Sequence, residues 1–595
     1  MNRETLWRAA GVFAFVLGNV VPVWAAPLPP LFRVNAPYFA GDIVYGETAV
    51  FWFGRVTQDE NFADVRVGYN NQYLYVNMVI FDRRLWYDTS PAASDLTNWD
   101  AVSLYFNKTG DTGGAPTANA YRFDAQFNGW EFERAEARAV AQGNGIGWSW
   151  VTLPFTATTS LAMENETVGG PNNNQDNRGW GITLCIPFSS LGLSGPPPQG
   201  TVWGLGVVVH DRDTDTGAVT QKMWPEGQVS TQPATWGQLR FGLPTYSPQF
   251  ADAHGTTVIR NKLNGAVVTD GVVGGNTLCG GGANYWTEWG NKNYTGAMQF
   301  NIQNTSKVSD WPCSSKYYVT FPLTSVPAGK AIISATLTLH QFGHAGAGDQ
   351  NLPQPATIQV LTVAQDWAES ALTWNTAPMA RENVSQTLVP LMPSDVPLDP
   401  GVPRSWDVSR AVAEAYASGD ELRLALYSSE YPLNTGKYFW SSDHDEYPAL
   451  ARPTLTVVWG DQTEQPPEAT VQKIVWPVAL ASGAPMTYTI SLVGSGQALT
   501  LTDEVPMSLS FPGSVSVNGG GVVTRTPSAR RITWVGTPPV GAPVTLAYVV
   551  SAMILGPTAI TNTAVLTDAE GRRATATASC IVDARQIWLP LILRQ

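Results

Sequence analysis

The 595-residue sequence predicts an all-β protein of three consecutive β-sandwich domains, two jelly-roll-like and one Ig-like, behind a signal peptide. Three observations carry that expectation. Glycine (55 residues) and proline (43) are abundant, as suits tight turns between strands. Runs alternating apolar and polar residues recur along the chain, the period of a strand with one buried face. One segment alone has a convincing helical period, and the chain is too long for a single core.

Taken in order, Arg3 and Arg8 bracket a short basic region ahead of the apolar stretch "AAGVFAFVLGNVVPVW", and "VWA" places small or aliphatic residues before a cleavage point after Ala25. Residues 1–25 therefore read as an export signal. The run is short for a membrane span and is interrupted by Gly18, Asn19 and Pro22; no later segment reaches the roughly 18 apolar residues a span needs.

Residues 27–245 carry the strand-like runs "QYLYVNMVIF", "AVSLYF" and "WGLGVVVH", separated by loops such as "PNNNQDN" and "SGPPPQG". Residues 246–460 place "AIISATLTLHQF", "ATIQVLTV" and "ELRLALYSS" around the helical segment "DVSRAVAEAYASG". There Asp407 can cap the start, Val408, Val412, Ala415 and Tyr416 share one face, and Gly419 can end it. Residues 461–470 form a polar linker. Residues 471–584, with "MTYTISLV", "RRITWV" and "VTLAYVVSAMI", have the length of one Ig-like domain. Residues 585–595 are a short tail.

The net charge is −13 and Lys and Arg are scattered, so no basic stripe exists to neutralise phosphates and nucleic acid is not an expected partner. Of the four cysteines, Cys279 and Cys313 fall in one domain and are the expected disulfide of an exported chain. Cys185 and Cys580 lie in apolar strand-like runs and read as buried free thiols. Five dispersed histidines give no zinc-site spacing.

In the first unit, "WDAVSLYF", "ITLCIPFSSLG", "WGLGVVVHDRD" and "TWGQLRFG" follow one another in an order that resembles the family 9 carbohydrate-binding modules and their DOMON-like relatives. The resemblance implies a β-sandwich, some members of which clamp a sugar end between two tryptophans. Carried over by position, it makes Trp99 and Trp224 the candidate stacking residues, with Tyr121 and Trp130 as further candidates; packing in the core is the alternative role. The chain departs from the family pattern at Ser103, where a glutamate often stands, and at Ser230, near the expected place of the second clamp aromatic.

In the second unit, "DWAESALTWNTAP", then "SWDVSRAVAEAY" and "FWSSDHDEYPALARPTLTVVW", resemble the DNRLRE domain and the related family 96 carbohydrate-binding modules. This implies a non-catalytic module, sometimes one that binds alginate or another polysaccharide. The third unit, with "SGAPMTYTISLVGSGQALTLTDEVPMSLSF" and "AITNTAVLTD", is similar to the DUF11 repeat, which implies a spacer or stalk.

Two further patterns raise chemical questions. Asp211, Asp213 and Asp215 in "DRDTDTG" have the D-x-D-x-D spacing of a calcium loop, but Thr216 and Lys222 stand where an EF-hand needs Gly and Glu. Either a weak structural calcium site or a solvated hairpin fits; no other cofactor is expected. In "DWAESALTWNTAP", Asp366 and Glu369 could be an acid/base pair, and Trp367 and Trp374 a stacking platform. Alternatively the stretch is a structural corner in which the tryptophans pack while Glu369 and Asn375 satisfy backbone donors.

No nucleophile elbow, triad or close carboxylate pair stands out. The expectation is an extracellular or cell-surface, non-catalytic carbohydrate-binding protein whose partner is a polysaccharide or surface glycan, with no membrane span in the mature chain. An accessory component of a polysaccharide-degrading enzyme and a purely structural or adhesive protein are the alternatives.

Overall fold

The computed structural model describes residues 31–583 except 130–133, 162–169, 249–252, 276–283, 306–312, 347–351, 431–433, 445–448, 462–468, 495, 555–557 and 570. The expected signal peptide, the C-terminal tail, most of the linker, Trp130 and the side chains of the Cys279–Cys313 pair lie outside the described residues. The chain is all-β with a single α-helix among the described residues, and no helix there is long and apolar enough to cross a membrane.

The first sandwich comprises β1 (Arg33–Ala36), β2 (Ala49–Gly54), β3 (Phe62–Tyr69), β4 (Tyr73–Phe81), β5 (Ala101–Asn107), β6 (Ala120–Gln126) and β7 (Arg138–Gly143). It continues with β8 (Trp148–Val151), β9 (Thr156–Leu161), β10 (Trp180–Pro187), β11 (Val202–Asp211), β12 (Thr220–Trp224) and β13 (Gly237–Phe241). One sheet has the order β2-β3-β4-β10-β9. The other runs β1-β13-β11-β5-β6-β7-β8, with β12 on the far half of β11. Strand alternation sends Val102, Leu104 and Phe106 of β5 into the core, and leaves Ser103 and Tyr105 on the opposite face.

The second sandwich comprises β14 (Ala253–Arg260), β15 (Thr269–Val273), β16 (Gln299–Thr305), β17 (Cys313–Phe321), β18 (Lys330–His344) and β19 (Ala356–Val363). There follow β20 (Ala380–Val389), β21 (Val402–Asp407), α1 (Ser409–Ser418), β22 (Leu422–Ser428), β23 (Lys437–Trp440) and β24 (Thr454–Asp461). Strands β15-β17-β22-β19-β20 form one layer, and β14-β24-β18 with β21, β23 and β16 the other. The helix forms where its pattern places it but starts at Ser409, with Val408 rather than Asp407 in the capping position and no side-chain cap. Asp407 Oδ1 accepts from Ser409 N at 2.9 Å, Val408 and Val412 are buried, and Gly419 ends the helix in the left-handed conformation at φ 75°.

The third sandwich comprises β25 (Thr470–Trp476), β26 (Ala479–Leu480), β27 (Pro485–Val493), β28 (Leu499–Glu504) and β29 (Ser516–Asn518). Its remaining strands are β30 (Val522–Thr526), β31 (Arg531–Gly536), β32 (Pro543–Ser551), β33 (Thr558–Asp568) and β34 (Arg573–Val582). Sheets β25-β27-β32-β29 and β26-β34-β33-β28-β31-β30 enclose its own core. Cys580 is a buried free thiol there, whereas Cys185 on β10 is free but only half-buried.

The first two sandwiches are joined, which the sequence did not suggest. Val50, Trp52, Phe62 and Phe81 of the first share one apolar cluster with Trp289, Trp374 and Tyr427 of the second. At its centre the buried Lys316 Nζ lies 3.5 Å from the ring centre of Trp374, 4.3 Å from Trp52, 4.5 Å from Phe62 and 4.8 Å from Tyr427. Burial holds its ammonium well below the usual lysine range. Asp64 of β3 accepts from Asn304 Nδ2 at 3.1 Å and Tyr427 Oη at 2.8 Å, and β1 meets β20 at Arg33 opposite Glu382.

"DWAESALTWNTAP" is therefore a corner at a domain junction. Asn375 Oδ1 accepts from Val56 N at 2.8 Å, and its Nδ2 donates to Val56 O at 3.0 Å, so one side chain supplies both halves of a strand-like pairing to the other domain. Gly290 leaves room for it, since a Cβ there would lie 2.5 Å from Asn375 Nδ2. Glu369 Oε1 accepts from Gly296 N at 2.7 Å, Trp374 is 3% exposed, and Asp366 points outward to Arg423. No acid/base pair is formed.

Candidate functional site

The outer face of the sheet around β5 collects the residues with the strongest chemical character in the first domain. Trp148 and Trp150, two apart on the edge strand β8, project on the same side. Opposite them in register stand Gly143 and Ala141, too small to cover either ring. Trp150 is 47% exposed and Arg122 of β6 lies over it, 5.6 Å from the ring centre. Trp148 runs parallel to Trp236 with ring centres 6.4 Å apart, and Tyr105 packs against both. Together they make a half-open aromatic ledge with a guanidinium at its inner end.

Behind the ledge lies a closed polar chain. Arg122 Nε donates to Asp124 Oδ1 at 2.9 Å, and its Nη2 is 2.8 Å from Oδ2. Ser103 Oγ donates to Asp124 Oδ1 at 2.6 Å and lies 2.9 Å from His210 Nε2, while Gln221 Nε2 lies 3.2 Å from His210 Nδ1. Burial, with Arg122 nearby, pushes His210 down to about 3, so the ring is neutral. The serine has one proton and gives it to Asp124, so His210 donates from Nε2 and accepts from Gln221 at Nδ1. The polarity runs Gln221 to His210 to Ser103 to Asp124, the reverse of what an activated serine needs, and Ser103 is fully buried. Ser103 thus closes a network that fixes Arg122 beneath the ledge.

The tryptophans singled out by the sequence lie elsewhere. Trp224 points into the core at 1% exposure, 4.3 Å from the Phe51 ring centre and pressed against Gly237. It has no free face for a sugar, which corrects that expectation: β12 alternates so that Met223, not Trp224, faces outward. Tyr121 is likewise a core residue, because Arg122 takes the outward position on β6. Trp99 sits half-buried at the sandwich rim with the Arg212 guanidinium 4.1 Å from its ring centre.

The same rim holds a second constellation. Asp82 just after β4, Asp100 just before β5 and Asp211 at the end of β11 are all buried, with one oxygen of each within 4.8 Å of the others. Asp100 accepts from Trp86 N at 2.6 Å and Arg212 N at 2.8 Å, and Asp82 Oδ1 from Arg84 N at 3.0 Å. Asp82 Oδ2 and Asp211 Oδ1 make no hydrogen bond of good geometry, with the Trp180 indole and the Asn61 amide as their polar neighbours. Burial, then mutual repulsion, raises Asp82 and Asp100 well above the carboxylate range; burial and Asp213 raise Asp211 to about 7. The expected D-x-D-x-D loop is corrected accordingly: Asp211 joins Asp82 and Asp100, while Asp213 is half-buried apart from them and Asp215 is exposed. Buried hard oxygen donors with two unused lone-pair positions fit a divalent cation such as calcium.

The sequence model of Carbohydrate-binding module family 96 matches residues 286–451, within the second sandwich. No curated protein matches the chain. Among solved structures, the chain is similar to a family 9 carbohydrate-binding module from Caldicellulosiruptor kristjanssonii in complex with cellotriose, at 15% identity over 36% of this chain and 95% of that one, with a TM-score of 0.25. It is also similar to a non-cellulosomal cohesin from Archaeoglobus fulgidus (9% identity, 19% and 91% coverage, TM-score 0.15) and to the collagen-binding domain from a Staphylococcus aureus adhesin (9%, 19% and 98%, 0.16).

Proposed function

We propose that this chain is an exported, non-catalytic carbohydrate-binding protein that holds a polysaccharide on the aromatic ledge of its first domain. The observation that carries the reading is the pair Trp148 and Trp150, facing outward beside a guanidinium locked by Asp124. A pyranose ring has an apolar face that stacks on indole, and its hydroxyls accept from a fixed Arg122. The match of residues 286–451 to a carbohydrate-binding family supports the same ligand class, and on this reading the second domain offers a further binding surface. Calcium held by Asp82, Asp100 and Asp211 would neutralise the rim and fix the three strand ends. The third domain spaces the joined pair from an anchor.

The test is native electrophoresis of the full chain through gels loaded with single polysaccharides. Retardation that is lost in Trp150→Ala and retained in Trp99→Ala supports the ledge; retardation equally lost in both, or absent on every glycan, contradicts it.

A further inference from the structure

Midway along its strands, the core of the third domain buries a set of four polar side chains between inward-facing apolar ones. Lys473 stands between the inward Val471 and Val475 on β25, and Tyr548 between Leu546 and Val550 on β32. From the opposite sheet, Asp503 follows Leu499 and Leu501 on β28, and Asn562 lies between Ile560 and Ala564 on β33. Asp503 pairs in register with Ala564, so Asn562 is its diagonal neighbour on the same face.

The four meet across the sandwich. Lys473 Nζ donates to Asp503 Oδ2 at 2.7 Å and Tyr548 Oη donates to the same oxygen at 2.6 Å. Asn562 Nδ2 donates to Tyr548 Oη at 2.8 Å. The lysine and aspartate side chains are both 0% exposed. Asp503 Oδ1 and Asn562 Oδ1 are two buried acceptors without a donor. An amine, a carboxyl and a carboxamide are thus brought together, dry, by strands of both sheets.

A simple ion pair does not account for this set. Burying a lysine and an aspartate in the middle of a sandwich is no more stabilising than filling the space with apolar side chains. The arrangement also leaves the Asn562 amide carbonyl buried without a donor, which is unfavourable. We propose that Lys473 and Asn562 form an intramolecular amide cross-link, with Asp503 as the acid–base group.

Asp503 takes a proton from the Lys473 ammonium, and the freed amine attacks Cγ of Asn562. The proton shared at Asp503 Oδ1 stabilises the developing charge on Asn562 Oδ1, which would give both orphaned oxygens a partner. The Cγ–Nδ2 bond breaks and ammonia leaves, a new Nζ–Cγ amide remains, and Asp503 ends protonated, donating to the new carbonyl. Atoms and charge balance without an oxidant, metal or other co-reactant. Burial brings Lys473 down to about 8, which makes the neutral amine accessible near neutral pH.

The link would join β25, the first strand of the domain, to β33, next to the last, and tie one sheet to the other. Tension entering from the preceding domain would then be borne by a covalent bond.

The experiment is tryptic peptide mapping by mass spectrometry of the full-length, reduced protein, alongside Asp503→Ala, Lys473→Arg and Asn562→Ala. The expected result is a branched peptide joining the Lys473 and Asn562 segments, one ammonia lighter than their sum and uncleaved after Lys473. In all three variants that species is absent. Recovery from the folded wild-type protein of only linear peptides, cleaved after Lys473 and with Asn562 intact, overturns the proposal whether or not the variants fold.

Discussion

Trp150 and Trp224 show how the same residue type takes opposite roles by the parity of its position on a strand. Trp150→Ala removes a half-exposed ring and is expected to cost at least tenfold in polysaccharide affinity, about 1.4 kcal/mol, while leaving the melting temperature nearly unchanged. Trp224→Ala opens a cavity against Phe51 and is expected to cost about 3–5 kcal/mol of stability, read by denaturant unfolding. Asp270 offers a pH test in the second domain. It accepts from Tyr317 Oη at 2.6 Å and Ser442 N at 2.7 Å, and burial raises it to about 6. Because the folded state holds this proton more tightly than the unfolded chain, its contribution is present below about pH 4 and is lost as pH rises towards 6, at about 1.4 kcal/mol per unit. Asp270→Asn is expected to remove that part of the slope in thermal melts across the same range.

At the scale of elements, strands such as β25 and β27 were legible from apolar alternation and others such as β2 and β11 from continuous apolar runs, and the helix from the buried Val412 and the terminating Gly419. The site was not, for two physical reasons. Alternation shows that Trp148 and Trp150 share a face but not whether that face is core or solvent; only pairing with Ala141 and Gly143 settles it. "GWSWV" was the available signal, and a family likeness pointed instead to Trp224. The rim triad draws Asp82, Asp100 and Asp211 from three strand ends, so no local spacing could reveal it, whereas "DRDTDTG" offered a spacing without the burial. Calcium at a hundredfold excess over its dissociation constant is expected to add about 2.7 kcal/mol, seen as a rise in melting temperature that chelator reverses and that Asp82→Asn and Asp100→Asn abolish. No rise in the wild-type protein would contradict the site.

For the molecule as a whole, the junction between the first two sandwiches changes what counts as a working unit. Residues 27–245 alone would expose Trp52, Phe62 and Phe81, an apolar patch of the kind that drives association. That fragment is expected to aggregate and bind a hydrophobic dye, whereas residues 27–460 remain monodisperse in size-exclusion chromatography. Asn375→Ala would orphan the Val56 N–H and C=O and weaken the joint by about 1–3 kcal/mol. Sugar binding on the first domain therefore needs to be measured with the second in place. Isothermal titration calorimetry of the full chain against a polysaccharide that retards it, with the double variant Trp148→Ala/Trp150→Ala beside it, addresses the ledge most directly. Saturable heat in the wild-type protein that vanishes in a double variant of unchanged melting temperature is the expected result; equal heat and affinity in both would place the sugar elsewhere and contradict the account.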